Sequence, residues 1–394
     1  MNGKDGGRLV TRILAGCLLI VLLLTAALVL LSIEENKKAA NTPEPVLNGA
    51  PASPCAPTEG PTAVPVPASA EPEPEKDFTR AGLSPDSVVD PYDTYSYARM
   101  LEDLETLEER YPELIRCWEA GTSAEGRRIP GFDLGRGDRK IVLISTMHAS
   151  EHIATNMLMY LVDQYCQGYA LDGSYGGQSY RELLDGVTFR VIPMANPDGV
   201  ELAQGGLAAV RDPRALIGMG YGPDTDFSSW QANIRGVDLN ANFAHKWGIR
   251  DDVSGPGFQG WCGPEPLSEP ESRAMQELLD GTDYEMLISL HIRGEAIFWL
   301  DSDTWDLYDA HFPIARRISD AIGCGLMGAE DVSRRGGYLV NTARITTRRF
   351  CATVELCPYI PEDPYPVSEF PEAVDNIYPL LLALGREVLS PPED

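Results

Sequence analysis

Lys140-Ile141-Val142-Leu143-Ile144-Ser145-Thr146 is a short apolar run, and Met147-His148-Ala149-Ser150-Glu151-His152 comes directly after it. Apolar residues at consecutive positions point to both faces of an extended chain, so the run fits a strand covered by helices on each side. Ile153 to Cys166 then returns to helical spacing. Val187 to Pro193, Met286 to Leu290 and Phe350 to Leu356 read as further strands. Tyr97 to Tyr111 is amphipathic, with Leu101, Leu104 and Leu107 on one side, and Val374 to Leu389 reads as a closing helix. No long linker or internal repeat interrupts the alternation. The expectation is a single three-layer α/β/α domain with a mixed, mostly parallel central sheet over residues 85–392.

Upstream the sequence changes character twice. Ile13 to Ile33 is 21 positions without a charge. At about 1.5 Å per residue a helix of that length crosses a bilayer core. Lys4, Arg8 and Arg12 precede it, which favours a cytoplasmic tail over residues 1–12, a transmembrane signal anchor over 13–33 and an extracytoplasmic remainder. Residues 34–80 hold ten Pro between Pro43 and Pro74 with almost no large apolar side chains, as expected of a Pro-rich disordered stalk. The expected location is the cell membrane, in a single pass.

The chain of 394 residues has 59 acidic side chains against 32 Lys plus Arg, a formal net charge of −27. Such a polyanion lacks the basic footprint that binding a phosphate backbone needs, which excludes nucleic acid as a partner. Residues 1–80 carry 7 basic and 9 acidic groups, so the acidity belongs to the folded part.

Two of the five His stand where open α/β sheets bind ligands, beyond the carboxyl ends of strands. His148 comes after the first run and His291 ends Leu287-Ile288-Ser289-Leu290-His291. Two imidazoles and a carboxylate make a three-ligand zinc site with its fourth position left for water, and the spacing His148-x-x-Glu151 lets one turn bring both side chains to one metal. By itself such a spacing is weak, since about one residue in seven is acidic. A rival takes His148, Glu151 and His152 as a zinc helix with Glu151 as base. That would need helix from His148 onward, directly after a strand.

Further strings fall in a fixed order. They are Ile192-Pro193-Met194-Ala195-Asn196-Pro197-Asp198-Gly199, then Arg235-Gly236-Val237-Asp238-Leu239-Asn240, then Ser268-Glu269-Pro270-Glu271. Ser289-Leu290-His291 and Thr353-Val354-Glu355-Leu356 complete the series. With His148-x-x-Glu151 in front, residues 90–390 resemble the zinc carboxypeptidase family, the carboxypeptidase A-like metallopeptidases. The resemblance implies one zinc ion held by His148, Glu151 and His291, with Glu355 as general base and acid. Zinc lowers the pKa of bound water towards about 7, and a nearby carboxylate takes its proton and passes it to the leaving amine. The resemblance also offers Arg235 for polarising the scissile carbonyl, and Asn240 and Tyr338 for holding substrate.

One departure bears on substrate. The family usually reads Asn-Arg after the Val-Asp stretch, and that Arg grips a terminal carboxylate. Here the string is Asp238-Leu239-Asn240-Ala241-Asn242-Phe243, and a methyl group cannot replace a bidentate guanidinium. This variant, with Leu290-His291-x-x-Gly294-Glu295-x-Ile297-x-Trp299, resembles a bacterial branch that cleaves γ-D-glutamyl–diaminopimelate bonds. The expected activity is therefore zinc peptidase action on a peptide substrate, most simply a peptidoglycan stem peptide. A general metallocarboxypeptidase of extracellular peptides and a zinc-free peptide- or cell-wall-binding protein are the alternatives. Five Arg and no acid lie between Val332 and Val354, a basic island with Arg344 and Arg293 as candidates for a substrate carboxylate or for plain salt bridges. Six Cys in the folded part permit up to three disulfides, and Cys351 and Cys357 are expected on one strand face with Glu355.

Overall fold

The computed structural model describes residues 87–90, 95–249, 253–330, 332–333, 335–360, 364–366 and 369–389. The expected tail, membrane span and stalk lie outside these residues. Among the described residues no helix is long and apolar enough to cross a membrane.

Three parallel strands make the centre. They are β3 (Arg139–Ser145), β5 (Met286–His291) and β8 (Phe350–Glu355), which come after β1 (Ile115–Thr122) and β2 (Arg128–Gly135) in the chain. With β4 (Val187–Ile192), β6 (Ala296–Phe298) and β7 (Gly325–Leu326) they form one eight-stranded sheet in the order β1-β2-β4-β3-β5-β8-β6-β7. β3 pairs in parallel with β4 and β5, β5 with β8 and β6 with β7, while β1–β2, β2–β4 and β8–β6 are antiparallel. The sheet is mixed and mostly parallel, as the sequence leads one to expect. Ile141 and Leu143 enter one apolar core and Val142 and Ile144 the other. The consecutive apolar positions of β3 are thus used on both faces.

The first core packs α1 (Tyr97–Arg110), α2 (Ile153–Ala170), α3 (Tyr180–Gly186) and α4 (Pro197–Gly205) on one side of the sheet. α5 (Pro270–Asp280) packs on the other side, and the chain then adds α6 (Tyr308–Ile322) to the first core and α7 (Leu339–Thr347) to the second. α2 is buried at every position from Ile153 to Tyr169, so it is a central helix with no solvated stripe. The closing helix expected over Val374 to Leu389 is two helices, α8 (Phe370–Ile377) and α9 (Leu380–Leu389). Pro379 separates them, because it has no N–H to donate to the carbonyl of the preceding helical turn.

All six Cys of the described residues are free thiols, so none of the permitted disulfides forms. Cys351 lies in the second core, whereas Cys166, Cys324 and Cys357 lie in the first. Cys351 and Cys357 therefore do not share a face. Cys357 lies beyond the last residue of β8, and the chain leaves strand geometry before reaching it.

Candidate metal centre

The three central strands deliver their side chains at one end. Ser145 is level with Leu290, and His291 with Glu355, so the carboxyl ends of β3, β5 and β8 lie side by side. β3 stops because Thr146 adopts φ 53°, a left-handed conformation that β-branched residues rarely take. Its hydroxyl lies 2.8 Å from that of Thr155, which donates to the Pro193 carbonyl at 2.6 Å. The turned chain then places His148 in extended geometry, and a single 3-10 turn, Ala149–Glu151, comes next.

That turn is clamped from behind. The Ala149 and Ser150 amides donate to the carbonyls of Gln231 (3.0 Å) and Trp230 (2.8 Å). Buried Asn196 donates through Nδ2 to Met147 O (3.0 Å) and Ala232 O (3.1 Å), while its Oδ1 accepts from Gly199 at the start of α4. The Asn-Pro-Asp-Gly string is thus a brace between the His148 loop and the 230s. Asp198 continues it by accepting from Arg127 (2.7 Å), Ser123 (2.8 Å) and the Glu125 amide (2.7 Å).

His148, Glu151 and His291 converge. Glu151 Oε1 lies 3.0 Å from His148 Nδ1, and Oε2 lies 2.8 Å from His291 Nδ1. One donor atom from each residue falls within 4.8 Å of the others, and the imidazole centroids are 4.7 Å apart. The far ring nitrogens are engaged elsewhere, His148 Nε2 with Asp238 at 3.4 Å and His291 Nε2 with the Ser289 hydroxyl at 3.2 Å. Each imidazole therefore turns Nδ1 inward and is oriented through Nε2, the usual arrangement of a metal-ligating His. The donor set, two imidazoles and one carboxylate, fits a zinc ion with a position open to solvent. His152, required by the rival reading, does not join the cluster. Burial alone pushes its imidazole down to about 4.

The electrostatics of the centre come from this packing. Burial raises the Glu151 carboxyl, but the charges and hydrogen bonds of His148 and His291 outweigh it and hold the group well below the carboxylate range. Burial lowers His148, and Glu151 and Asp238 more than reverse this, leaving it well above the ordinary imidazole value. Glu355 is pushed up to about 7 by burial and by the negative charge of Glu151, against the pull of His291 and the Arg293 amide. That amide donates to Glu355 Oε2 at 2.6 Å. A carboxylate held near neutrality beside a metal site suits proton transfer in both directions.

The remaining candidates divide. Asn240 Oδ1 accepts from the Leu339 amide (3.4 Å), directly after Tyr338, and the Phe243 amide donates to Gly337 O (2.8 Å). The two segments touch so closely that a Cβ on Gly337, at φ 81°, would sit 2.1 Å from the carbonyl oxygen of Ala241. Asn240 and Tyr338 are thereby brought into one region, with Ala241 fully buried between. Arg235 is half exposed and reaches Glu269 at 3.4 Å. Among the described residues it makes no ion pair with the His148 cluster. The basic island is largely committed to structure. Arg344 is fully buried, bonded to Asp301 (2.6 Å) and to the Cys351 carbonyl, which removes it as a ligand for a substrate carboxylate. Arg348 pairs with Asp306, and Arg349 with Asp283 at 2.6 Å. The positioning roles of Asp238 and Ser289 are not legible in the sequence. Both stand inside the quoted strings, but only the fold shows which imidazole each one meets.

A family model described as zinc carboxypeptidase matches residues 100–321. The match includes His148, Glu151 and His291 and ends before Glu355. The chain is 30% identical over 214 residues to gamma-D-glutamyl-L-diamino acid endopeptidase 1 of Lysinibacillus sphaericus, covering 54% of each. It is 30% identical over 220 residues to the protein YqgT of Bacillus subtilis (strain 168), covering 54% of this chain and 58% of that one. The chain thus spans little more than half the length of these relatives. Among solved structures, carboxypeptidase A from Helicoverpa armigera superposes with a TM-score of 0.56 at 19% identity, over 76% of this chain and 74% of that one. At that identity the likeness is one of fold.

Proposed function

Because the chain belongs to the zinc carboxypeptidase family, we propose that it is a zinc metallopeptidase that hydrolyses the γ-D-glutamyl–diaminopimelate bond of peptidoglycan stem peptides. The observation that carries the hydrolytic reading is the meeting of His148, Glu151, His291 and Glu355 at three adjacent strand ends. His148, Glu151 and His291 would hold the zinc ion, which when bound supplies Lewis acidity towards a carbonyl and an acidified water. Glu355 takes the proton from the attacking water and returns it to the departing amine. The Arg293 amide fixes its carboxylate for both transfers.

Two features support the cell-wall substrate. Ala241 stands where a terminal-carboxylate Arg is usual and is sealed under Gly337, so the enzyme does not grip a free C-terminus there. The name of the Lysinibacillus sphaericus relative describes cleavage after a γ-D-glutamyl unit. We further propose that residues 13–33 anchor the chain in the cell membrane and that residues 34–80 hold the catalytic domain outside. The uncharged run and the Pro-rich composition support this. The functional test gives the zinc-loaded chain L-alanyl-γ-D-glutamyl-diaminopimelate and, separately, a blocked L-dipeptide. Release of diaminopimelate with no cleavage of the dipeptide is expected, and cleavage of the dipeptide alone contradicts the cell-wall reading.

A further inference from the structure

Resting on that reading, we propose that a cavity adjoining the metal loop receives an uncharged, hydroxyl- and amide-bearing part of the substrate, with His152 as its specificity-determining residue. The cavity has a volume of about 370 Å³, and Tyr95, His152, Asn156, Asp226, Ser228 and Tyr365 are among its walls. This volume lies within the range of small-ligand sites, roughly 300–1,000 Å³. Its walls come from segments that also build the centre. His152 is next to Glu151 in the chain, and Tyr365 lies ten residues beyond Glu355. Asp226 and Ser228 belong to the loop whose Trp230 and Gln231 carbonyls clamp the metal loop.

The polar groups of the wall divide into committed and available. The Tyr365 hydroxyl donates to Pro358 O at 3.2 Å, and Asp226 Oδ1 accepts from the Ser228 amide at 2.9 Å. His152 stands at the start of α2 without capping it, and neither ring nitrogen has a partner among the described residues. Its two ring nitrogens offer hydrogen-bonding positions to a bound hydroxyl or amide. Among the described residues of the wall Asp226 is the one charged side chain, and none is Lys or Arg. The cavity therefore disfavours carboxylates, including the one on the D-glutamyl residue. With no cation among the described wall residues to hold a carboxylate, the occupant is an uncharged portion of the substrate, and in a stem peptide the uncharged, hydroxyl- and amide-bearing portion is the N-acetylmuramoyl sugar.

The test uses the full zinc-loaded chain and L-alanyl-γ-D-glutamyl-diaminopimelate, with and without an N-acetylmuramoyl group on the alanine. KM is expected to be lower by about fivefold or more for the sugar-bearing substrate, the scale of one or two hydrogen bonds. His152→Ala and His152→Phe should remove that difference through KM, with zinc content held at the wild-type level. Equal KM values in the wild type overturn the proposal, as does a His152→Ala variant that loses zinc or loses kcat equally on both substrates. If the wild type hydrolyses neither substrate, the functional reading fails and the cavity is judged separately. Saturation-transfer NMR with N-acetylmuramoyl-L-alaninamide should then show binding that His152→Phe abolishes, and absence of binding to the wild type overturns the proposal.

Discussion

Glu355 carries a demand that two of its neighbours meet. In the proposed mechanism it accepts a proton near neutral pH and gives it up again, so it can be neither an ordinary surface carboxylate nor a permanently protonated one. Burial and the charge of Glu151 raise it to about 7, and the Arg293 amide keeps one oxygen in place. Glu355→Gln preserves the shape and removes the proton acceptor. This variant is expected to bind zinc as the wild type does and to lose roughly 10²–10⁴-fold in kcat. Parallel loss of zinc would make Glu355 a structural residue. At this scale the sequence is informative wherever chemistry restricts residue choice, as at His148, Glu151, His291 and Glu355. Arg344 shows the opposite case. Its cluster of like charges reads as a ligand site, yet Arg344, Arg348 and Arg349 meet acids that are distant in sequence, Asp301, Asp306 and Asp283. Pairing between positions about 40 to 70 residues apart leaves no local pattern to read.

Between the elements, the geometry of the centre depends on how three strand ends are joined to the loops and helices beyond them. Asn196 holds Met147 and Ala232 through one amide group while its carbonyl oxygen caps α4. Removing that side chain leaves several buried backbone groups without partners, each costing about 1–3 kcal/mol. Asn196→Ala is therefore expected to destabilise the fold by about 3 kcal/mol, measurable as a shift in urea midpoint at unchanged m. A change under about 0.5 kcal/mol, the ordinary scale of surface substitutions, would mean that the brace is dispensable. Strand positions are legible because a central parallel strand is apolar at consecutive positions, as β3 is. The closing helix reads as one because the periodicity of Val374 to Leu389 continues across Pro379, and the break comes from the backbone chemistry of proline. The turn at Thr146 gives no signal, since a β-branched residue at positive φ is held there by contacts to Thr155 and Glu151 that only the assembled loop provides.

Across the whole molecule, the excess of acid has a cost at one buried position. Glu271, in the Ser-Glu-Pro-Glu string at the start of α5, is fully buried. It accepts from the Ala124 amide at 2.8 Å and from Asn233 at 3.3 Å. Burial, with Asp198 and Glu269 nearby, raises its carboxyl from 4.5 to about 7. A folded-state value above the unfolded one means that stability is greatest below about 4.5 and is lost as pH rises through about 7, by about 3 kcal/mol at most. Glu271→Gln should flatten this decline in urea unfolding measured from about pH 4.5 to 8, and parallel curves for the two proteins would contradict it. The formal charge of −27 therefore describes the folded molecule poorly at this point, where one acid is held neutral over part of the physiological range.

The proposed hydrolytic chemistry depends on one ion at His148, Glu151 and His291. Elemental analysis of the purified chain after dialysis against zinc and then zinc-free buffer measures it directly. One zinc per chain in the wild type, and none in His291→Ala that still folds, is the predicted result. A wild-type chain that retains no zinc, or a His291→Ala chain that retains one equivalent, would contradict it.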